Sequence, residues 1–157
     1  MASSSAGPMK YRIRLFFLFG LAALATACGS GPGGKMPDAS GEPVSVGTTN
    51  SSTFCMILVG PDGKPLYTRA GDTATSSTCT GSCATAWPPL TVPPGQQAVG
   101  GPGVNGTFST LTRSDGTLQA TYNGLPLYYY GADSSTSGPT GNGIDGFAVA
   151  TPSSGGS

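Results

Sequence analysis

Three sets of residues in this chain carry side chains that could do chemistry. Two are copies of one motif: Tyr67 followed five residues later by Asp72, and Tyr128 followed by Tyr130 and Asp133, 61 residues further on. The third is Cys79-Thr80-Gly81-Ser82-Cys83. A phenol near a carboxylate can share a proton, and Asp72 with Asp133 is the one motivated carboxylate pair for general acid and base work. The chain has no histidine, so its many serines have no imidazole to activate them. Gly100-Gly101-Pro102-Gly103 lacks the lysine and following helix of a phosphate loop. No residue is therefore assigned a catalytic role, and the chain is not expected to be an enzyme.

Two other roles fit the aspartates: acceptor for a tyrosine hydroxyl, with Asp133 the acceptor nearest to Tyr128 in sequence, or an Asx turn organising the hydroxyl residues behind each of them. The tyrosines have two readings as well. As buried packing they supply a large apolar body with a hydroxyl needing a partner. As an exposed face, Tyr128 and Tyr130, two apart on a strand and hence on one side, could stack a carbohydrate or peptide, with Trp87 nearby.

Cys79 and Cys83 are expected to form a disulfide across three small residues, contributing about 2 kcal/mol by loop entropy. The alternatives are a bridge that uses Cys55, or thiols that exchange or bind metal. Cys55 lies in the apolar run Phe54 to Val59, where a free thiol behaves as a small hydrophobe. Without histidine, and with three cysteines besides Cys28, the usual set of four zinc ligands is missing. No metal site or cofactor is assigned. Asn142 and Asp145 with nearby carbonyls are a weaker candidate for calcium.

The elements that must position these residues read as strands and turns. With 26 glycines and 14 prolines among 157 residues, long helices are disfavoured. Apolar or alternating runs at Thr53 to Val59, Pro65 to Arg69, Thr107 to Arg113, Thr117 to Tyr122, Pro126 to Tyr130 and Gly146 to Ala150 are bounded by turn sequences such as Asp115-Gly116 and Asn123-Gly124. Between Gly63–Asp72 and Gly124–Asp133 the glycine, proline, leucine, tyrosine and final aspartate recur in register (63/124, 65/126, 66/127, 67/128 and 72/133), and Arg69 stands where Tyr130 does. Trp87 matches Phe147 one residue short of the register, so each unit should end in an aromatic plug. Repeat 1 spans about residues 53–93 and repeat 2 about 107–152, joined by an irregular connector. Units this short cannot hold separate cores and should pack on each other.

Residues 1–27 read as a secretory signal, with Lys10, Arg12 and Arg14 ahead of the apolar run Leu15 to Leu24. Leu24-Ala25-Thr26-Ala27-Cys28 resembles the lipobox of bacterial lipoproteins, with Ala25 where leucine is usual. The resemblance implies acylation of Cys28 and anchoring to the membrane, which several acyl chains make stable. Residues 28–50 read as a flexible tether reaching about 25 Å, and 153–157 as a frayed tail. Beyond residue 27 four cations (Lys35, Lys64, Arg69 and Arg113) face seven acids, which gives nucleic acid no basic patch.

Tyr128, Tyr130 and Asp133 fit the pattern of tyrosine, any residue, an aromatic, two residues, aspartate. Together with Asp115-Gly116-Thr117-Leu118-Gln119, Tyr122-Asn123-Gly124, Cys79, Cys83 and Trp87-Pro88-Pro89-Leu90 they resemble a family of predicted bacterial lipoproteins carrying a secreted repeat. The resemblance runs from about Thr53 to Pro152 and implies a location and a repeat architecture without a reaction. The expectation is a mainly β chain: a small antiparallel domain (51–152) of two related repeats, behind a disordered N-terminal tether. It would be an extracytoplasmic, lipid-anchored, non-catalytic module for a protein or carbohydrate ligand. An extracytoplasmic thiol-redox or metal-handling protein built on Cys79 and Cys83 is the alternative.

Overall fold

In the computed structural model, residues 41–152 are described. The signal sequence at 1–27, the lipidation site Cys28, the first part of the expected tether and the tail 153–157 lie outside the described residues. The strands are β1 (Val44–Ser51), β2 (Cys55–Val59), β3 (Tyr67–Arg69), β4 (Ala98–Gly100), β5 (Phe108–Thr112), β6 (Leu118–Tyr122), β7 (Leu125–Pro126) and β8 (Phe147–Val149). One short helix, α1 (Ser82–Ala86), lies between β3 and β4.

Five of the six runs expected as strands contain one; the sixth, Pro126 to Tyr130, overlaps β7 only at Pro126, and its Tyr128 joins Tyr67 and Pro89 through isolated bridges. The tether, however, ends earlier than expected: Val44 to Asn50 belong to β1, which pairs antiparallel with β2 (Gly47 opposite Val59) and parallel with β4 (Val44 opposite Ala98). The alternation is weak here, since Val44 and Val46 are the only large apolar residues of the strand, yet Val46 is fully buried. The connector between the repeats likewise holds β4. Backbone pairing to two neighbours supplies what side-chain patterning does not.

The three hydrogen-bonded sheets are β2-β1-β4, β3-β8 and β5-β6-β7. Their connection at the centre makes the repeats inseparable. Tyr67 and Tyr128, the equivalent residues of the two copies, exchange backbone hydrogen bonds in both directions, at 2.8 and 2.9 Å. Around this bridge the same triangle occurs twice. The Leu66 N–H donates to the Leu58 carbonyl, Leu58 to Ala150, and Ala150 to Leu66. In the other half Leu127 donates to Ala120, Ala120 to Leu90, and Leu90 to Leu127. Ala150 closes repeat 2 but bonds to repeat 1, and Leu90 closes repeat 1 but bonds to repeat 2. The end of each repeat is thus a strand of the other.

Strand alternation then sorts side chains onto two buried faces. Leu58, Leu66, Leu90, Ala120, Leu127 and Ala150 join Val46 and Tyr122 in an aliphatic cluster. Ile57, Val59, Tyr67, Trp87, Tyr128, Phe147 and Val149 form an aromatic cluster. Burial on both faces explains why the run Ile57-Leu58-Val59 is continuously apolar. The Asn123-Gly124 turn has positive φ at both residues (49° and 80°), as a two-residue hairpin demands.

Because each half completes its sheet and its core with the other, fragments covering 41–93 and 107–157 should each be unfolded alone and regain β-sheet circular dichroism on mixing. A cooperative unfolding transition in either fragment by itself would contradict the exchange of strands.

Candidate functional site

The tyrosine and aspartate of one copy do not meet each other. The Tyr67 hydroxyl donates to Asp133 Oδ2, and the Tyr128 hydroxyl donates to Asp72 Oδ2. The partner nearest in sequence is thus the wrong one: after Tyr128 the chain runs on past Tyr130 before turning, and the exchange of strands brings Asp72 across instead. The second oxygen of each aspartate holds its own loop. Asp72 Oδ1 accepts from the Thr78 N–H (2.8 Å) and hydroxyl (2.6 Å). Asp133 Oδ1 accepts from the Thr140 N–H (3.1 Å) and hydroxyl. Both expected roles, hydroxyl acceptor and loop organiser, are filled by one carboxylate. All four residues are buried, Tyr67 and Tyr128 completely.

Above the pairs lies a ladder of flat groups. Trp87 and Phe147, the two plugs, stack face to face at 3.8 Å with planes 6° apart. Tyr130 covers the other side of Trp87 at 4.5 Å, while the Arg69 guanidinium lies 5.5 Å from the centre of the Phe147 ring. Tyr67 meets Trp87 edge-on at 5.3 Å and Tyr128 meets Phe147 edge-on at 5.2 Å. The position that differs between the copies is therefore filled alike: a guanidinium plane substitutes for the phenol ring at one end of the ladder. Such ring pairs contribute about 0.5–1.5 kcal/mol each beyond the area that they bury. Gly141 is needed beneath the ladder, since a Cβ there would lie 2.6 Å from Trp87 Cη2.

Of the two readings of the tyrosines, buried packing holds, and the alternative of an open stacking face is absent for this reason. Tyr128 and Tyr130 do share a side, as the alternation requires, but that side is the ladder: Tyr128 and Trp87 are buried and Tyr130 is half-buried. Asp72 and Asp133 sit at separate tyrosines, each buried and accepting three hydrogen bonds.

Cys79 and Cys83 form a disulfide, with Cα atoms 5.2 Å apart, so a thiolate metal site at this pair is excluded in the oxidised protein. It clips the loop before Trp87, whose N–H donates to the Cys83 carbonyl at 2.7 Å. Cys55 is free and exposed, where burial was expected. The β1–β2 turn places it at the rim of an open depression with Phe54 and Met56, at φ 59°. Among the described residues no group of three or more Cys, Asp and Glu could hold a metal. Asn142 is committed elsewhere, its Oδ1 accepting from the Val149 N–H at 3.0 Å.

One set of site residues has no counterpart in the sequence reading. Arg113 is buried, its Nη1 donating to Gln119 Oε1 (2.6 Å) and Ser77 Oγ (2.9 Å), and its Nη2 to the Cys79 carbonyl (2.5 Å). Ser77 Oγ in turn lies 2.7 Å from the Tyr128 hydroxyl. A lone cation at the head of a Ser-Asp-Gly turn reads as a surface residue. Its scarcity in so uncharged a domain was the available signal.

Residues 56–91 and 109–150 each match a family described as a secreted repeat of unknown function. The chain belongs to that family. No curated protein and no solved structure matches it. Each matched segment carries one tyrosine and one aspartate of the exchanged pairs, together with the closing residue (Leu90 or Ala150) that bonds to the other segment. The secreted repeat is thus a unit of sequence, and two copies make one unit of folding.

Burial and the bond to Asp72 push the Tyr128 hydroxyl up from its ordinary value to about 12. Tyr67 is raised further by burial and by Asp133, against the opposing Gly141 N–H at 3.2 Å. Tyr129 is raised by burial and by the Asp62 carboxylate. An unfolded tyrosine titrates near 10, so the native state here holds phenol protons that the unfolded state releases. Their stabilisation is complete below pH 10 and is lost as pH rises through 12. The urea midpoint should hold level from pH 8 to 9.5 and fall steeply above 10, and Tyr128→Phe should make that fall shallower. A midpoint unchanged up to pH 11.5 would refute the burial of these hydroxyls.

Proposed function

We propose that this secreted repeat protein is a lipid-anchored extracytoplasmic module, acylated at Cys28 and held to the cell membrane by its acyl chains, that works by binding or structural presentation and carries out no catalysis. The observation that supports this best is the saturation of the motif residues. Tyr67, Tyr128, Asp72 and Asp133 satisfy one another in the interior, so the residues with chemical potential serve the framework. A general base must face a substrate, and these carboxylates are buried with three donors each from Tyr and Thr side chains and backbone.

Contact with a ligand then falls to the surface loops. Ser51, Ser52 and Thr53 face Ser135, Thr136 and Ser137 across a groove of about 330 Å³. Hydroxyls in that density suit a carbohydrate or a polar protein segment, which are the ligand classes proposed.

Anchoring is tested by growing cells on labelled palmitate. The wild-type protein should carry label and sediment with membranes, and Cys28→Ser should lose both. Label retained in Cys28→Ser, or an unlabelled wild-type protein released to the medium, would overturn the anchor.

A further inference from the structure

The described residues include three cations, Lys64, Arg69 and Arg113, and two of them crowd the single disulfide. Arg113 Nη2 donates to the carbonyl of Cys79, and Arg69 Nη1 donates to the hydroxyl of the adjacent Thr78. Arg69 also lines, with Cys83, Trp87 and Asp145, an open depression of about 430 Å³. Among the described residues, the only buried side-chain nitrogens or oxygens without a hydrogen-bond partner are Nε of Arg69 and Nε of Arg113. Arg113 Nε has only the exposed Asp115 carboxylate, at 3.9 Å, beyond hydrogen-bond reach. Leaving such donors unfilled in the interior is costly. The disulfide itself is neutral, whereas opening it would create negative charge beside two guanidiniums that already reach Thr78 and the Cys79 carbonyl.

The two sulfurs also differ in access. Cys79 is fully buried, while Cys83 is half-buried at the edge of the depression. We propose that Cys79–Cys83 is an exchangeable disulfide, opened from the Cys83 side by a dithiol reductant, with Arg113 and Arg69 stabilising the cysteine thiolates that form. The attacking thiolate of the reductant bonds to Cys83 Sγ, the Sγ–Sγ bond breaks, and its electron pair leaves on Cys79 Sγ. The second thiol of the reductant, after losing its proton to solvent, attacks the mixed disulfide and releases Cys83 as a thiolate. The protein gains two electrons and the reductant becomes a disulfide. Cationic neighbours favour the leaving thiolate and so raise both the rate of exchange and the stability of the reduced state. Repeat 2 has no such pair: its corresponding turn is held without a covalent bridge, the Gly143 N–H donating to the Phe147 carbonyl at 2.8 Å and Asn142 Oδ1 accepting from the Val149 N–H at 3.0 Å. Since the second copy closes the same turn without a bridge, opening the bridge leaves the ladder its backbone support.

The test uses the full chain carrying Cys55→Ser, incubated with dithiothreitol at neutral pH, acid-quenched, alkylated and read by mass spectrometry of the peptides containing Cys79 and Cys83. The native protein should be reduced at a rate proportional to dithiothreitol. Arg69→Gln and Arg113→Gln should each shift the equilibrium about tenfold toward the disulfide, or about 30 mV, with Lys64→Gln unchanged. In Cys79→Ser the Cys83 thiol should react with iodoacetamide at least about tenfold faster than Cys79 does in Cys83→Ser. Should Arg113→Gln fail to fold, Arg69→Gln decides. Reduction only at the rate of global unfolding, independent of dithiothreitol, would overturn the proposal, as would an Arg69→Gln protein with the wild-type equilibrium.

Discussion

A carboxylate in an apolar interior is tolerable only when its oxygens are filled with donors, and in this domain each buried carboxylate is filled from both repeats. Asp72 accepts a hydrogen bond from the Tyr128 hydroxyl and two from Thr78; Asp133 accepts the same from Tyr67 and Thr140. Neither repeat can satisfy its own aspartate. That requirement, together with the exchanged closing strands, couples the halves into one cooperative unit. The aromatic ladder follows from it, because the tyrosines that reach across also set the edges against which Trp87 and Phe147 stack.

The arrangement shows how a sequence motif can look like chemistry and be architecture. A tyrosine, an aromatic and an aspartate at fixed spacing are what a binding or proton-transfer site would need. Here the phenols and carboxylates neutralise each other's desolvation cost, and the aromatic position is filled by whichever flat group can cap the ladder. Arg69 does this as well as Tyr130. It also brings a guanidinium beside the disulfide, which a second tyrosine would not.

Much of this was legible in the chain. The 61-residue register located both motifs, the turn sequences located most of the strands, and alternation placed Tyr128 and Tyr130 on one side. What stayed hidden depends on contacts between segments far apart in sequence. Local spacing says that Tyr128 has an aspartate within reach but is silent on which copy supplies it. Val44 to Asn50 reads as linker because its strand character comes from pairing with β2 and β4 and not from its own side chains. Cys55 reads as core because its neighbours Ile57 and Leu58 are, while the turn before it swings its side chain outward. Arg113 reads as surface because its partners Ser77, Cys79 and Gln119 converge only in the fold.

The central claim is that each tyrosine serves the aspartate of the other repeat, and a double-mutant cycle on unfolding free energy addresses it directly. Tyr67→Phe combined with Asp133→Asn should show a coupling of about 1 kcal/mol or more, whereas Tyr67→Phe combined with Asp72→Asn should be additive to within about 0.5 kcal/mol. Coupling to Asp72 and additivity with Asp133 would mean that each repeat satisfies itself, and the interlocked account would be wrong.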